Sequence, residues 1–455
     1  MLSRHKTLKI DRENIWHPFT QMKRFEFIDH KVIVKAKGLK LYDYDGKEYY
    51  DAISSWWTNI HGHNKKEIND AIKDQLKELD HTLFAGITHP YAAEVVDRLK
   101  FYLPHKLNKF FFSDNGSTAV EVALKMAFQY WQNIGKTTKT KFAYLDNSYH
   151  GDTIGSISVG GVDLYHKLYN PLRFDAFRLK QPKCSTCPFR KSNLTYDAKE
   201  TGCNIECLDE TEKLLTKKHE QIAAVIVEPL VQGSTGMNIY NPEYLNRLFR
   251  LCKDLDILVI FDEVATGFGR TGTMFALEQT NVIPDIITIS KGITGGYLPL
   301  SLTITNPRIY SAFYDDDIYK TLFHGHSYTA NPIACSAAIA NLKLFREENL
   351  PESRSKFLAY FHSQVKELSK YDFVGDVRYL GFIGAIDIVK DKTTKEKFGS
   401  NFDFKVNQTC LKNGVLIRPL DGTVYWFLPL STKKSEVDEI LDRTIKSIKE
   451  VIDKI

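Results

Sequence analysis

Cysteine is scarce in this sequence. Seven residues in a chain of 455, an odd number, exclude a fully paired disulfide framework and fit a reducing compartment. Long apolar runs are missing too. The nearest stretches are ILVIF and AAVIV, well short of the ~18 apolar residues a membrane helix needs. The opening segment, MLSRHKTLKIDREN, lacks the apolar core of a secretion signal. Neither sign of charge dominates: 61 Lys and Arg against 56 Asp and Glu leave +5. Nucleic acid and anionic membranes need concentrated basic patches, so neither is an expected partner. Glycine (26) and proline (15) are modest, which excludes collagen-like and low-complexity chains. There is no internal repeat and no linker rich in Pro, Gly or Ser. A soluble, cytoplasmic protein acting on small molecules is expected.

What is present points to an α/β protein. Hydrophobic residues make up 43% and charged residues 26%, enough for a sizeable core. The length suits about three domain-sized units, or one long α/β domain with a smaller companion. Residues 32–53 alternate apolar and polar around the turn at Asp45–Gly46 and read as antiparallel strands. From Ile68 the spacing becomes helical. Short buried strands are expected at Phe110–Phe112, Phe142–Leu145, Ala223–Val227, Leu258–Phe261 and Ile286–Ile289, with helices at Ser117–Trp131, Tyr244–Leu255 and Ile333–Glu348. Strands alternating with helices mean a mainly parallel sheet. The expected organisation is a large domain over 66–330 and a smaller α/β domain built from both chain ends, 1–65 and 331–455. Residues 182–207 form an excursion that holds four of the cysteines.

The strongest chemical signal lies between residues 258 and 296. Asp262 and Glu263 stand at the carboxyl end of one strand, and Lys291 follows the next, with Gly292, Gly295 and Gly296 behind it. Ligands of open α/β sheets gather at that end of the strands. Taken singly, these are a solvated lysine and a helix-capping aspartate. Together they suit pyridoxal phosphate, with Lys291 bound to the cofactor and Asp262 on its pyridinium nitrogen. A phosphate site is expected where FFFSDNGSTAVEVALKMA reads strand, turn, helix. Gly116 permits the turn, Ser117 begins the helix, and Thr118 with Glu121 has capping-box spacing. Residues 267–272 match G-x-G-x-x-G, but Asp262 and Glu263 occupy the strand end and would repel a dinucleotide's pyrophosphate.

The segments WHPFTQM (16–22), SSWWTNIHGH (54–63), SYHGD (148–152), VEPLVQG (227–233), FDEVATGFGRTG (261–272), SKGITGGYLPL (290–300) and FHGHSYTANP (323–332) together resemble the class III aminotransferases of fold type I. The WHPFT segment and the tryptophan pair resemble the branch that aminates 8-amino-7-oxononanoate to 7,8-diaminopelargonate in biotin biosynthesis. That resemblance implies S-adenosylmethionine as amino donor. L-lysine as donor, or a general ω-amino acid:pyruvate transaminase, are the alternatives.

The resemblance also implies roles. Lys291 holds pyridoxal 5′-phosphate and shuttles the proton; Asp262 pairs with the ring nitrogen. Gly116 and Ser117 bind the phosphate, with His326 and Ser327 completing that site from the second subunit of a homodimer. Tyr149 stacks on the ring, Phe19 and Trp56 line the substrate pocket, Gly325 approaches the substrate, and Arg418 binds its carboxylate. Arg270 and Tyr425 are second contributors. Two departures stand out: Phe19 where members often carry Tyr, and His326-Ser327 where many carry Pro-Thr.

Cys184, Cys187, Cys203 and Cys207 form C-x2-C-x15-C-x3-C, close to a structural zinc pattern, with reduced thiols in a surface loop as the alternative. The triplets His61–His63 and His324–His326 have alternate-residue spacing, but no carboxylate or cysteine is paired with them in sequence.

Overall fold

A computed structural model describes residues 2–188, 203–399 and 401–454. Seven strands build the central sheet: β1 Lys109–Ser113, β2 Lys141–Leu145, β3 Ala176–Leu179, β4 Ile222–Val227, β5 Leu258–Asp262, β6 Ile286–Ile289 and β7 Ser301–Thr305. Their order is β1-β7-β6-β5-β4-β2-β3. β7 runs antiparallel to both neighbours, and the remaining pairs are parallel.

Every residue of β4, β5 and β6 is buried, as unbroken apolar runs demand of strands covered on both faces. Side chains alternate between the faces. Ala224, Ile226, Leu258 and Ile260 pack with helix α1 (Gly116–Asn133) through Val120, Ala123, Ala127 and Trp131. Val225, Val259 and Phe261 belong to the cluster on the other face, which includes Tyr244, Leu245 and Leu248 of helix α2 (Pro242–Asp254).

Two strands carry no clear sequence signal. β7 reads SLTIT, and its threonines look solvated; they are buried because Thr303 donates to the Ala119 carbonyl (2.7 Å) and Thr305 to that of Asp285 (2.9 Å). β3 is an edge strand with only Leu179 fully buried. The expected capping box is displaced by three residues. Asn115 caps α1 by accepting from the Thr118 N–H, and the Thr118 hydroxyl closes the box. Glu121 instead accepts from the Gly155 N–H at 2.7 Å, because it lies a full turn inside the helix.

Near the amino terminus, Ile33–Lys37, Lys40–Asp43 and Glu48–Asp51 pair antiparallel, and Val415–Leu416 adds in parallel to the third. The two chain ends therefore share a sheet. Helix α3 (Pro332–Glu347) leads into a second sheet of Val374–Leu380, Ile383–Asp391, Glu396–Lys397 and Thr423–Phe427, and the chain closes on α4 (Lys434–Ile452). Of the excursion at 182–207, residues 189–202 lie outside the described residues. Among the described residues, no helix is long and apolar enough to cross a membrane.

Candidate active site

The carboxyl ends of β5 and β6 place Asp262 and Lys291 at one cavity of about 540 Å³. The sheet register sets Asp262 opposite Thr288, so the Thr288 hydroxyl donates to Asp262 Oδ1 at 3.1 Å. The Val264 N–H donates to the same oxygen, also at 3.1 Å. The other oxygen, Oδ2, meets His150 Nδ1 at 2.7 Å, and both side chains are buried. Asp262 is thus held on both oxygens. His150 was missed as a functional residue, although it lies within the SYHGD segment; its contact spans 112 residues of sequence and has no local signature.

Lys291 sits two residues past the end of β6 with φ of +44°. A non-glycine residue there is strained, and such strain concentrates at functional positions. Its amine lies 5.1 Å from the Trp57 ring centroid. Burial pulls the Lys291 pKa below its ordinary value, the charges of Asp262 and Glu228 oppose that, and Arg270 reinforces it. A depressed lysine has more neutral amine available for attack on a carbonyl.

Glu228 is buried and accepts from the N–H groups of Tyr149 and Gly233, each at 3.0 Å. Burial pushes its carboxyl up to about 7, against the pull of His150 and the two amides. At the start of α1, Gly116 and Ser117 line the same cavity. A Cβ on Gly116 would stand 2.7 Å from Val264 Cγ1, and one on Gly151 would stand 2.0 Å from Ser117 Oγ. Both glycines keep space open at the helix amino terminus, where free N–H groups and the dipole favour an anion.

A second cavity, of about 340 Å³, meets the first at Lys291, Tyr149 and Trp57. Phe19, Trp56, Tyr165, Asp152, Arg418 and Tyr425 line it. The Arg418 guanidinium lies 4.6 Å from the Trp56 ring centroid and donates to the Phe19 carbonyl at 3.1 Å. The Tyr149 hydroxyl donates to Asp152 at 2.6 Å. Tyr425 accepts from the Trp57 indole N–H at 3.3 Å.

The tryptophan pair rides on an unusual turn. Ser54, Ser55, Trp56 and Trp57 all have positive φ, between +46° and +72°. Arg270 pins this turn. Its buried guanidinium donates to Ser54 Oγ (3.2 Å) and to the carbonyls of Trp57 (3.2 Å), Asn59 (2.7 Å) and Leu428 (2.8 Å). Arg270, expected to assist Arg418 at the substrate, lines neither cavity and is committed to backbone.

Gly325, His326 and Ser327 do not line either cavity of this chain. Gly325 and Ser327 are exposed, and the Ser327 carbonyl bonds His81 Nε2 at 2.6 Å. His61 and His63 diverge, one to Asn341 and the other to Asp51. Cys184, Cys187, Cys203 and Cys207 are partly buried. Burial pushes the Cys207 thiol up to about 12, and the other three cysteines add to the rise. Among the described residues, no three His, Cys, Asp or Glu side chains stand as a group able to hold a metal ion.

A lysine and an aspartate on adjacent strand ends, beside a capped helix amino terminus, define a site for a phosphorylated aldehyde cofactor. The chain belongs to the class-III aminotransferase family, whose model matches residues 25–448. Among curated relatives, the adenosylmethionine-8-amino-7-oxononanoate aminotransferase of Geobacter sulfurreducens is 42% identical over 443 residues, covering 96% of each chain. The crystal structure of the protein of that name from Methanocaldococcus jannaschii superposes with a TM-score of 0.91 at 37% identity, covering 98% of this chain and 99% of that one. A pyridoxal-phosphate-bound amine transaminase from an uncultivated Pseudomonas species gives 0.89 at 32% identity, covering 96% and 99%. The fold is that of a pyridoxal-phosphate-dependent transaminase.

Proposed function

We propose that this chain is the transaminase that aminates 8-amino-7-oxononanoate to 7,8-diaminopelargonate in biotin biosynthesis, taking the amino group from S-adenosylmethionine. The observation that carries this reading is the set of groups that line the second cavity: Lys291, which also lines the first cavity, the Asp152 carboxylate and the Arg418 guanidinium. An acceptor bearing a ketone, an ammonium and a carboxylate finds one complementary group for each. The donor's sulfonium suits the aromatic faces of Trp56, Trp57 and Tyr149, an attraction worth roughly 0.5–2 kcal/mol.

The residues present fit pyridoxal 5′-phosphate. Gly116 and Ser117 would hold its phosphate, Asp262 its ring nitrogen and Lys291 its aldehyde carbon, while Tyr149, on the same cavity, would pack against the ring. When bound, the cofactor supplies an aldehyde and an electron-withdrawing ring. Asp262, fixed by Thr288, Val264 and His150, would hold a proton on the ring nitrogen. Lys291, whose pKa burial depresses, would serve as the base that accepts a proton from the substrate carbon.

The reading includes a cytoplasmic homodimer in which His326 and Ser327 complete the partner's phosphate site. Leu83, Ile87, Ile318, Phe323 and Tyr328 are more than half exposed, and apolar surface of this kind supports a second copy. The test is the donor half-reaction. Cofactor-loaded protein mixed with S-adenosylmethionine, without acceptor, should lose its yellow absorption and form pyridoxamine phosphate. Conversion by L-lysine and none by S-adenosylmethionine would replace the donor. Amination of pyruvate in preference to 8-amino-7-oxononanoate would replace the acceptor.

A further inference from the structure

Three phenols line the substrate cavity, and two are committed. Tyr149 donates a hydrogen bond to Asp152, and Tyr425 accepts one from the Trp57 indole. Tyr165 is different. Its ring is fixed edge-on against Phe19 (centroids 5.2 Å apart) and against Tyr149 (6.2 Å), yet its hydroxyl makes no hydrogen bond to any described residue. The backbone anchors it as well, since the Tyr165 N–H donates to the Val162 carbonyl at 3.0 Å.

We infer that the Tyr165 hydroxyl is a specificity-determining group that receives the substrate ammonium next to the reacting carbonyl. This inference rests on the amination of an amino-keto acid proposed above. Tyr165 lines the cavity, so its unpartnered hydroxyl can exchange water for a ligand group there. Phe19, its ring neighbour, brings no polar side-chain atom to that wall, and its carbonyl is taken by Arg418. Burial and the nearby Asp152 charge hold the Tyr165 pKa above its ordinary value, with Arg418 opposing, so the group stays a neutral phenol. A neutral phenol has acceptor lone pairs for an ammonium N–H. Asp152 supplies the compensating charge from the same cavity wall. No covalent step is involved.

The test compares Tyr165→Phe with wild type on two acceptors, 8-amino-7-oxononanoate and 7-oxononanoate, which lacks the amine. The variant keeps the ring and removes one oxygen. Its KM for the amine-bearing acceptor should rise about ten-fold, as expected for a lost hydrogen bond to a charged group, with kcat within about two-fold. Its KM for 7-oxononanoate should stay within about two-fold of wild type. Adding Phe19→Tyr to the Tyr165→Phe protein should recover part of the loss. An unchanged KM for the amine-bearing acceptor, or an equal rise for both acceptors, overturns the role of Tyr165 while leaving the transaminase reading intact. A wild type that fails to aminate 8-amino-7-oxononanoate overturns that reading, and this inference with it.

Discussion

His150 Nδ1 lies 2.7 Å from Asp262 Oδ2, and both side chains are buried at the wall of the cavity that Lys291 also lines. On the proposed reading Asp262 holds the cofactor's ring nitrogen, and the histidine acts through it as a positioning residue. Replacing His150 by Phe leaves a buried carboxylate oxygen without a partner, at a cost of about 1–3 kcal/mol or more. The His150→Phe protein should unfold at lower denaturant and lose cofactor faster on dialysis. Unchanged retention would remove His150 from the site.

Gly116 predicts a steric effect. Its Cβ position lies 2.7 Å from Val264 Cγ1, so Gly116→Ala should displace the helix start proposed to receive the phosphate. Cofactor affinity, followed by absorbance during titration of apoprotein, should fall. Val264→Ala in the same chain should restore much of it. A single Gly116→Ala variant with normal affinity would show that the helix start yields without harm.

How much of this was legible in the sequence follows from the range of each interaction. Lys291 and Asp262 were readable because a charged residue closing a short apolar run is a local signature of a strand's carboxyl end. The partners that give them their properties were not. His150, Glu228, Asp152 and Tyr165 reach the site across tens of residues, through a sheet order that cannot be read along the chain. The Arg270 expectation meets the same limit: an arginine in a glycine-rich loop looks available for substrate, but both terminal nitrogens of its guanidinium are taken by Ser54 Oγ and the carbonyls of Trp57, Asn59 and Leu428.

Arg270→Ala should therefore act on stability first. Carbonyls of Trp57, Asn59 and Leu428 lose a buried donor, and the fold should weaken by about 3 kcal/mol or more. Chemical denaturation measures this. A variant as stable as wild type but unable to bind the acceptor would return Arg270 to the substrate.

Arg418→Ala should act in the opposite sense, on binding. Half-buried over Trp56, it should raise the acceptor KM with a loss of about 1.5–3 kcal/mol in kcat/KM. Arg418→Lys should recover only part, lacking the planar fork. An unchanged acceptor KM in the alanine variant would move the carboxylate site.

Glu228 predicts a pH dependence. Its carboxyl is raised from 4.5 to about 7 by burial, so between those values the folded protein binds more protons than the unfolded chain. The stabilisation is full below pH 4.5 and is lost as pH rises through 7, up to about 3 kcal/mol across the window. Glu228→Gln cannot titrate, and its stability should fall less over that range. Parallel pH–stability profiles for the two proteins would contradict the raised pKa.

The central claim is that Lys291 carries the cofactor. Reducing the loaded protein with sodium borohydride should lock pyridoxal phosphate onto its lysine, and peptide mass spectrometry then locates it. The predicted result is one phosphopyridoxyl group per chain, on the peptide containing Lys291 and absent from Lys291→Ala. Attachment to another lysine, or none at all, would contradict it.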